Sequence, residues 1–275
     1  MKTKCGFLSL AILLLTSCGG FTKLSKCPDS DYKYEAAKQY FLNGKYNDAA
    51  LLLTDVIPGM KGTERGDEST FLLAMSKFMA KDYVSANDYF TRFCTNYPTS
   101  VHVDEARFYA GRALYLSTPQ PELDQTDTYQ AITDLQNFLE ISPESKYVPK
   151  VREMIFELQD KLVEKEYMAA KLYYNLGGYF LNCTMGGNNY EACIITAENA
   201  IKDYPYSSKK EEFSILILRA KYELAVSSVS NKMKERYENA IDEYYGFVNE
   251  YPESKYANEA KAIYEKAKAM TEKLQ

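Results

Sequence analysis

One histidine, His102, and six cysteines are the residues from which nucleophilic or metal chemistry would have to be built in this chain. A single imidazole excludes most His-rich metal sites and leaves any histidine-based triad hanging on one side chain. His102 follows Tyr97-Pro98-Thr99-Ser100 and is expected as an exposed turn residue. No Cys-x-x-Cys pair occurs, so zinc and thioredoxin-type chemistry have no support. No Gly-rich phosphate loop follows a strand pattern, and no Gly-x-Ser-x-Gly elbow is present. The 38 carboxylates fall on helical patterns and read as solvated faces. We therefore expect no catalytic residue, no metal ligand, no cofactor and no enzyme.

The one cysteine whose surroundings predict chemistry is Cys18. Lys2 and Lys4 precede an apolar stretch from Phe7 to Leu15, the pattern of a secretory signal and too short for a permanent bilayer span. Leu15-Thr16-Ser17-Cys18-Gly19 resembles a bacterial lipobox. That resemblance implies cleavage before Cys18, a diacylglycerol on its sulfur and acylation of the new amino terminus. Several acyl chains give stable anchoring where one is marginal. Gly19 rather than Asp at the next position implies export to the outer membrane, and the lack of an acidic run after Cys18 implies the periplasmic face. Removal of residues 1–17 leaves 258 residues and takes two lysines, moving the formal charge from −5 to −7. Of the remaining cysteines, Cys183 and Cys193 flank a Gly186-Gly187-Asn188 turn. An oxidising compartment permits a disulfide between them; two small buried thiols are the other reading.

What holds such residues in place is helical. The chain has 25 Tyr, no Trp, 13 Gly and 9 Pro in 275 residues, too little Gly and Pro for an all-β protein with many tight turns. With 46% hydrophobic residues it can build a core, and without a basic excess it offers nothing to nucleic acid. Four closures recur: Asn96-Tyr97-Pro98-Thr99-Ser100, Ile141-Ser142-Pro143-Glu144-Ser145, Asp203-Tyr204-Pro205-Tyr206-Ser207 and Glu250-Tyr251-Pro252-Glu253-Ser254. Twelve residues before each proline stand Ala86, Ala131, Cys193 and Ala240. Eight before stand Phe90, Leu135, Ala197 and Tyr244, and four before stand Cys94, Leu139, Ile201 and Val248. That spacing is one apolar helical stripe. Proline then stops the helix, and Ser can cap the next. A fifth copy lies in front, with Ala37, Tyr40, Gly44, Tyr46 and Ala49 in the same phase but no closing Tyr-Pro.

The unit resembles the 34-residue tetratricopeptide repeat, two antiparallel helices per copy. We expect an all-α superhelix of about five helix pairs with a C-terminal capping helix, Lys255 to Leu274. The prolines lie 45, 62 and 47 residues apart. The excess falls in a loop at Pro119–Thr126, in a helical stretch from Pro149 that can run straight into the fourth repeat, and in an insertion at Cys183–Asn188. The domain reading is a signal peptide at 1–17, a lipidated flexible tether at 18–30, repeats one to three at 31–147, and repeats four and five with the added helix and cap at 148–275. In such arrays first helices line a concave face. The register places Tyr34, Lys38 and Phe41 there from the first repeat, Phe71, Met75 and Phe78 from the second, and Phe108, Arg112 and Tyr115 from the third. Aromatics and methionine with a few cations suit an extended apolar peptide with aromatic residues or a carboxyl end. Packing between repeats is the competing role for each of these residues.

The lipobox, the five repeats, the Tyr-Pro-x-Ser closures and the stretch Glu166-Tyr167-x-x-Ala170-x-x-Tyr173-Tyr174-x-x-Gly177 together resemble the BamD family of lipoproteins, in its Bacteroidota-like form. The resemblance implies a scaffold of the β-barrel assembly machinery. It implies a BamA-like β-barrel partner, bound at a POTRA domain mainly through the C-terminal repeats. It also implies unfolded outer-membrane proteins as substrates, their C-terminal signals engaged largely by the N-terminal repeats. Proteobacterial members of the family can place an arginine nine residues before the fourth repeat's proline; Thr196 stands there, so that contact is not carried over. The alternative is another periplasmic tetratricopeptide lipoprotein, in pilus assembly or cell-division coordination.

Overall fold

The computed structural model describes residues 21–63, 65–178 and 188–274. Among them every regular element is helical. After a short helical segment at residues 21–25, the chain forms α1 (Ser30–Leu42), α2 (Tyr46–Met60), α3 (Gly66–Met79), α4 (Tyr83–Asn96), α5 (Val103–Ser117), α6 (Thr126–Ile141) and α7 (Val148–Leu176). Then follow α8 (Asn189–Asp203), α9 (Lys210–Val226), α10 (Ser230–Glu250) and α11 (Ala257–Lys273). Within α1 to α6 each helix packs on the next, and so it does within α8 to α11, as helix-pair repeats require. Among the described residues none of these helices is long and apolar enough to cross a membrane.

The apolar stripe read from the prolines is the buried stripe. Ala86, Phe90, Ala131, Leu135, Cys193, Ala197 and Ala240 are all fully buried. Alanines at the first stripe position let facing helices approach closely, and larger residues one turn on fill the space between them. Gly111 serves the same approach: a Cβ there would meet Leu135 Cδ2 at 2.7 Å. Gly44 ends α1 in the left-handed region at φ 74°, where glycine is unpenalised. Lys81 makes the equivalent turn in the second repeat at φ 64° despite its Cβ. Asp82 offsets this by capping α4, its carboxylate accepting from the Ser85 N–H at 3.4 Å.

The chain divides into two compact units, residues 1–119 with 126–155, and residues 120–125 with 156–275. In the first, one core gathers Tyr34, Ala37, Leu52, Leu53, Val56 and Leu73, and a second gathers Ala74, Phe78, Phe90, Phe93, Ala106 and Ala113. Phe21 and Leu24 pack onto the former, so the chain is fixed on the first repeat from residue 21 onward. In the second unit, α9 is the central helix: six consecutive residues, Phe213 to Leu218, are buried. Val163 and Ala170 of α7 and Cys193 and Ala197 of α8 cover one side of it. Phe247 of α10 and Ala260 of α11 cover another, so the last helix caps the repeat before it. The added stretch does run unbroken into the fourth repeat, giving α7 its 29 residues. Gly177 closes α7 at φ 46°, packed so tightly under Tyr190 that a Cβ would lie 2.5 Å from its hydroxyl.

Candidate functional site

The junctions between repeats are all built alike. A Ser or Thr shortly after the end of each second helix turns back and accepts the N–H of the residue two further on. Ser100 accepts from His102 at 3.2 Å, Ser145 from Tyr147 at 3.2 Å, Ser207 from Lys209 at 3.1 Å and Ser254 from Tyr256 at 2.9 Å. The first junction, which lacks Tyr-Pro, does the same with Thr63 and Arg65 at 3.3 Å. The serine hydroxyl also reaches back one repeat. Ser100 donates to Asp67 at 2.9 Å, Ser145 to Asp104 at 2.7 Å and Ser254 to Glu211. Bonds to an ionised acceptor are the stronger kind, so each joins neighbouring repeats as well as bracing the turn that enters the next helix.

The residue that follows this serine by two then lies on a side chain of the preceding first helix. Arg65 sits over the Tyr34 ring at 5.7 Å, and His102 stacks on Phe71 with centroids 4.7 Å apart and planes at 16°. Tyr147 stacks on Phe108 at 4.1 Å and 7°, and Lys209 Nζ lies over Tyr167 at 4.9 Å. At the last junction Tyr256 packs against the core holding Ile215, while Arg219 lies over its ring. His102 is thus a half-buried stacking residue and not the exposed turn residue expected of it, because the apolar ring beneath offers more than water does.

This shared geometry sorts the nine residues assigned to the concave face, all of which lie in the first unit. Tyr34, Phe78 and Phe108 are buried. Tyr34 and Phe108 are covered by Arg65 and Tyr147, and Phe71 by His102 and the Phe90 and Phe93 edges. These rings hold repeats together. Those with open surface are Phe41, which meets Tyr46 edge-on at 5.4 Å, together with Met75, Arg112, Tyr115, Lys38 and part of Phe71. The guanidinium of Arg112 lies over Phe78 at 5.5 Å and over Tyr109 at 5.8 Å. Lys38 bonds Glu68 at 3.1 Å and lies over the Tyr34 ring. Burial alone would raise the Glu68 carboxyl, but Lys38 and the Tyr34 hydroxyl together outweigh it and hold the group below its usual range. Burial and then Glu68 push the Tyr34 phenol well above its ordinary value. Its hydroxyl faces that carboxylate without completing a well-formed hydrogen bond.

The second unit carries a cleft of about 360 Å³ between α7 and the turn after α8, lined by Phe156, Val163, Tyr204, Pro205 and Tyr206. Phe156 and Tyr206 are exposed there. Cys193 is a free, fully buried thiol, pushed up to about 12 by burial; Cys183 lies outside the described residues, as does Cys18. Among the described residues no group of three or more His, Cys, Asp or Glu side chains is placed to hold a metal.

A model of the YfiO family, outer membrane lipoproteins, matches residues 28–184, more than half of the chain. The chain belongs to the YfiO family. Membership associates it with the outer membrane. The YfiO match takes in α1 to α7, which is the first unit from residue 28 onward and the start of the second. Two named relatives agree with it. A provisionally named outer membrane protein assembly factor BamD of Aquifex aeolicus (strain VF5) is 28% identical over 172 residues, 62% of this chain and 56% of the relative. Outer membrane protein assembly factor BamD of Pasteurella multocida (strain Pm70) is 22% identical over 177 residues, 61% and 68% respectively. The chain thus matches little more than half the length of the Aquifex relative. Among solved structures, the nearly identical TPR-like repeats of a Podospora anserina kinesin light chain cover 88% of this chain and 94% of their own, at 14% identity and a TM-score of 0.32. The tetratricopeptide-type assignment rests on the helix pairs themselves.

Proposed function

We propose that the chain is a scaffold for outer-membrane protein assembly that does no covalent chemistry of its own. In this reading Cys18 carries the lipid, the repeats face the periplasm, and two protein partners are brought together. The first unit takes targeting segments of unfolded outer-membrane proteins. The second meets the POTRA region of a BamA-like β-barrel protein. The observation that carries this is the YfiO match across residues 28–184, joined to two relatives named as assembly factors.

The geometry supports it in two places. In the first unit the partly open strip of Phe41, Phe71 and Met75 offers apolar and aromatic contact, and among the described residues Arg112 makes no ion pair. An extended peptide ending in an aromatic residue and a carboxylate fits such a strip, its rings on the methionine and phenylalanines and its carboxylate on the guanidinium. In the second unit the Phe156–Tyr206 cleft presents aromatic rings to solvent beside a proline, the composition of an interface centre.

A mild-detergent pulldown of the lipidated chain tests the scaffold. A BamA-like barrel protein in stoichiometric yield is the expected result; pilus-assembly or cell-division proteins in its place overturn the reading. For the strip, Phe41→Ala with Met75→Ala is the informative pair, since Phe78→Ala would empty a buried site. Crosslinking of a C-terminal outer-membrane-protein peptide should weaken. Unchanged crosslinking in a folded double variant refutes the site.

A further inference from the structure

In the first unit the helices alternate in direction, so the turns within each pair fall on one edge and the junctions between pairs fall on the other. The within-pair edge combines apolar and basic side chains. It exposes Leu42 (75%) and Val84 (76%), with Met79 half-exposed beside them, and carries the exposed lysines Lys45 and Lys81. Asp82 on the same edge is already engaged by Lys77 at 3.0 Å, so it offsets little of that positive charge.

A second observation says what covers this edge. Phe21 meets Tyr40 edge-on at 5.6 Å, close to the end of α1 where Leu42 stands, and Lys45 lies over the same tyrosine at 5.4 Å. Leu24 packs on the core below, and Lys23 and Lys26 stay exposed. Cys18 is three residues from Phe21, about 11 Å at full stretch. A lipid on that sulfur therefore leaves almost no slack between the bilayer and the first repeat's turn.

We propose that this edge of the first unit lies directly on the phospholipid headgroups. Leu42, Met79 and Val84 enter the interface, and Lys23, Lys26, Lys45 and Lys81 meet lipid phosphates. Exposed apolar residues flanked by lysines are the composition of a surface that lies in the interfacial plane. The inference rests on the reading of Cys18 as the lipidated residue.

The chain contains no tryptophan, so one introduced tryptophan is an unambiguous reporter. Leu42→Trp and Val84→Trp place it on the proposed contact. Val101→Trp places it on the junction edge, where the native side chain is 90% exposed. Each full-length lipidated variant is reconstituted into phosphatidylethanolamine–phosphatidylglycerol vesicles with brominated acyl chains. Residues seated about 5–10 Å into the interface should lose about half or more of their emission at positions 42 and 84, with position 101 unchanged. Vesicle-bound protein with equal emission at all three positions overturns the contact and leaves the anchor standing. Protein that does not float with the vesicles overturns the Cys18 reading, and this inference with it.

Discussion

Replacing Phe108 with alanine should destabilise the first unit far more than a place on an open binding face would suggest. Phe108 is 4% exposed, stacked on Tyr147 at 4.1 Å, and edge-on to Tyr109 at 5.3 Å. Emptying a buried phenylalanine site costs about 3–5 kcal/mol. A change of 1 kcal/mol moves the midpoint by about 2–4 °C in a domain of 150–250 residues, so a drop of about 10 °C is expected. The melt should be followed by circular dichroism, with hydrogen exchange assigning the early loss to helices α5 to α7. The stack itself is measured by a double-mutant cycle. Phe108→Leu keeps most of the apolar volume, Tyr147→Ala removes the upper ring, and their coupling should be about 0.5–1.5 kcal/mol. A coupling of zero, or a Phe108→Ala melt like that of the wild type, would refute the claim that this ring joins two repeats.

Two further outcomes are expected. Lys81→Gly should stabilise the first unit, by about 1–2 kcal/mol at most, because a Cβ at positive φ is relieved; a thermal melt showing no gain would mean the turn is held at no cost. Glu259 is held below the ordinary carboxylate range, first by its two hydrogen bonds from Arg219, each 2.6 Å. Its contribution to the second unit is then fully present above the unfolded carboxylate pKa and is lost as pH falls through the lowered one. Glu259→Gln should therefore narrow the gap between melts at neutral and acid pH, and a variant with unaltered acid sensitivity would remove this pair from the account.

The repeat register was legible because it is a matter of spacing. Alanine or cysteine twelve residues before a proline has to meet a neighbouring helix, and Ala86, Ala131, Cys193 and Ala240 do. The run from Pro149 into the fourth repeat was legible from the want of Gly or Pro before Gly177. The concave face was less so. Spacing shows that Tyr34, Phe71 and Phe108 share a position, but not that Arg65, His102 and Tyr147 fold back over them, since each cap comes from the next repeat, 31 to 39 residues later. A signal did exist: Thr63-x-Arg65, Ser100-x-His102, Ser145-x-Tyr147, Ser207-x-Lys209 and Ser254-x-Tyr256 each put an aromatic or cationic residue two places after a hydroxyl. The same signal marks the first junction, where the absence of Tyr-Pro hid it. The hold of Phe21 and Leu24 on the first repeat had no periodic signature at all, because a single short segment cannot show a period.

The cap borrowed from the following repeat also decides where this protein can be cut and rejoined. A module excised at its proline leaves behind the side chain that shields its own ring, and arrives in a new host with Phe71 or Phe108 bare to water. One excised just past Arg65, His102, Tyr147, Lys209 or Tyr256 travels with its lid closed. Chimeras between this chain and its relatives should therefore be spliced at the first residue after the lid. A truncation after Pro252 would strip Tyr256 from the repeat formed by α9 and α10.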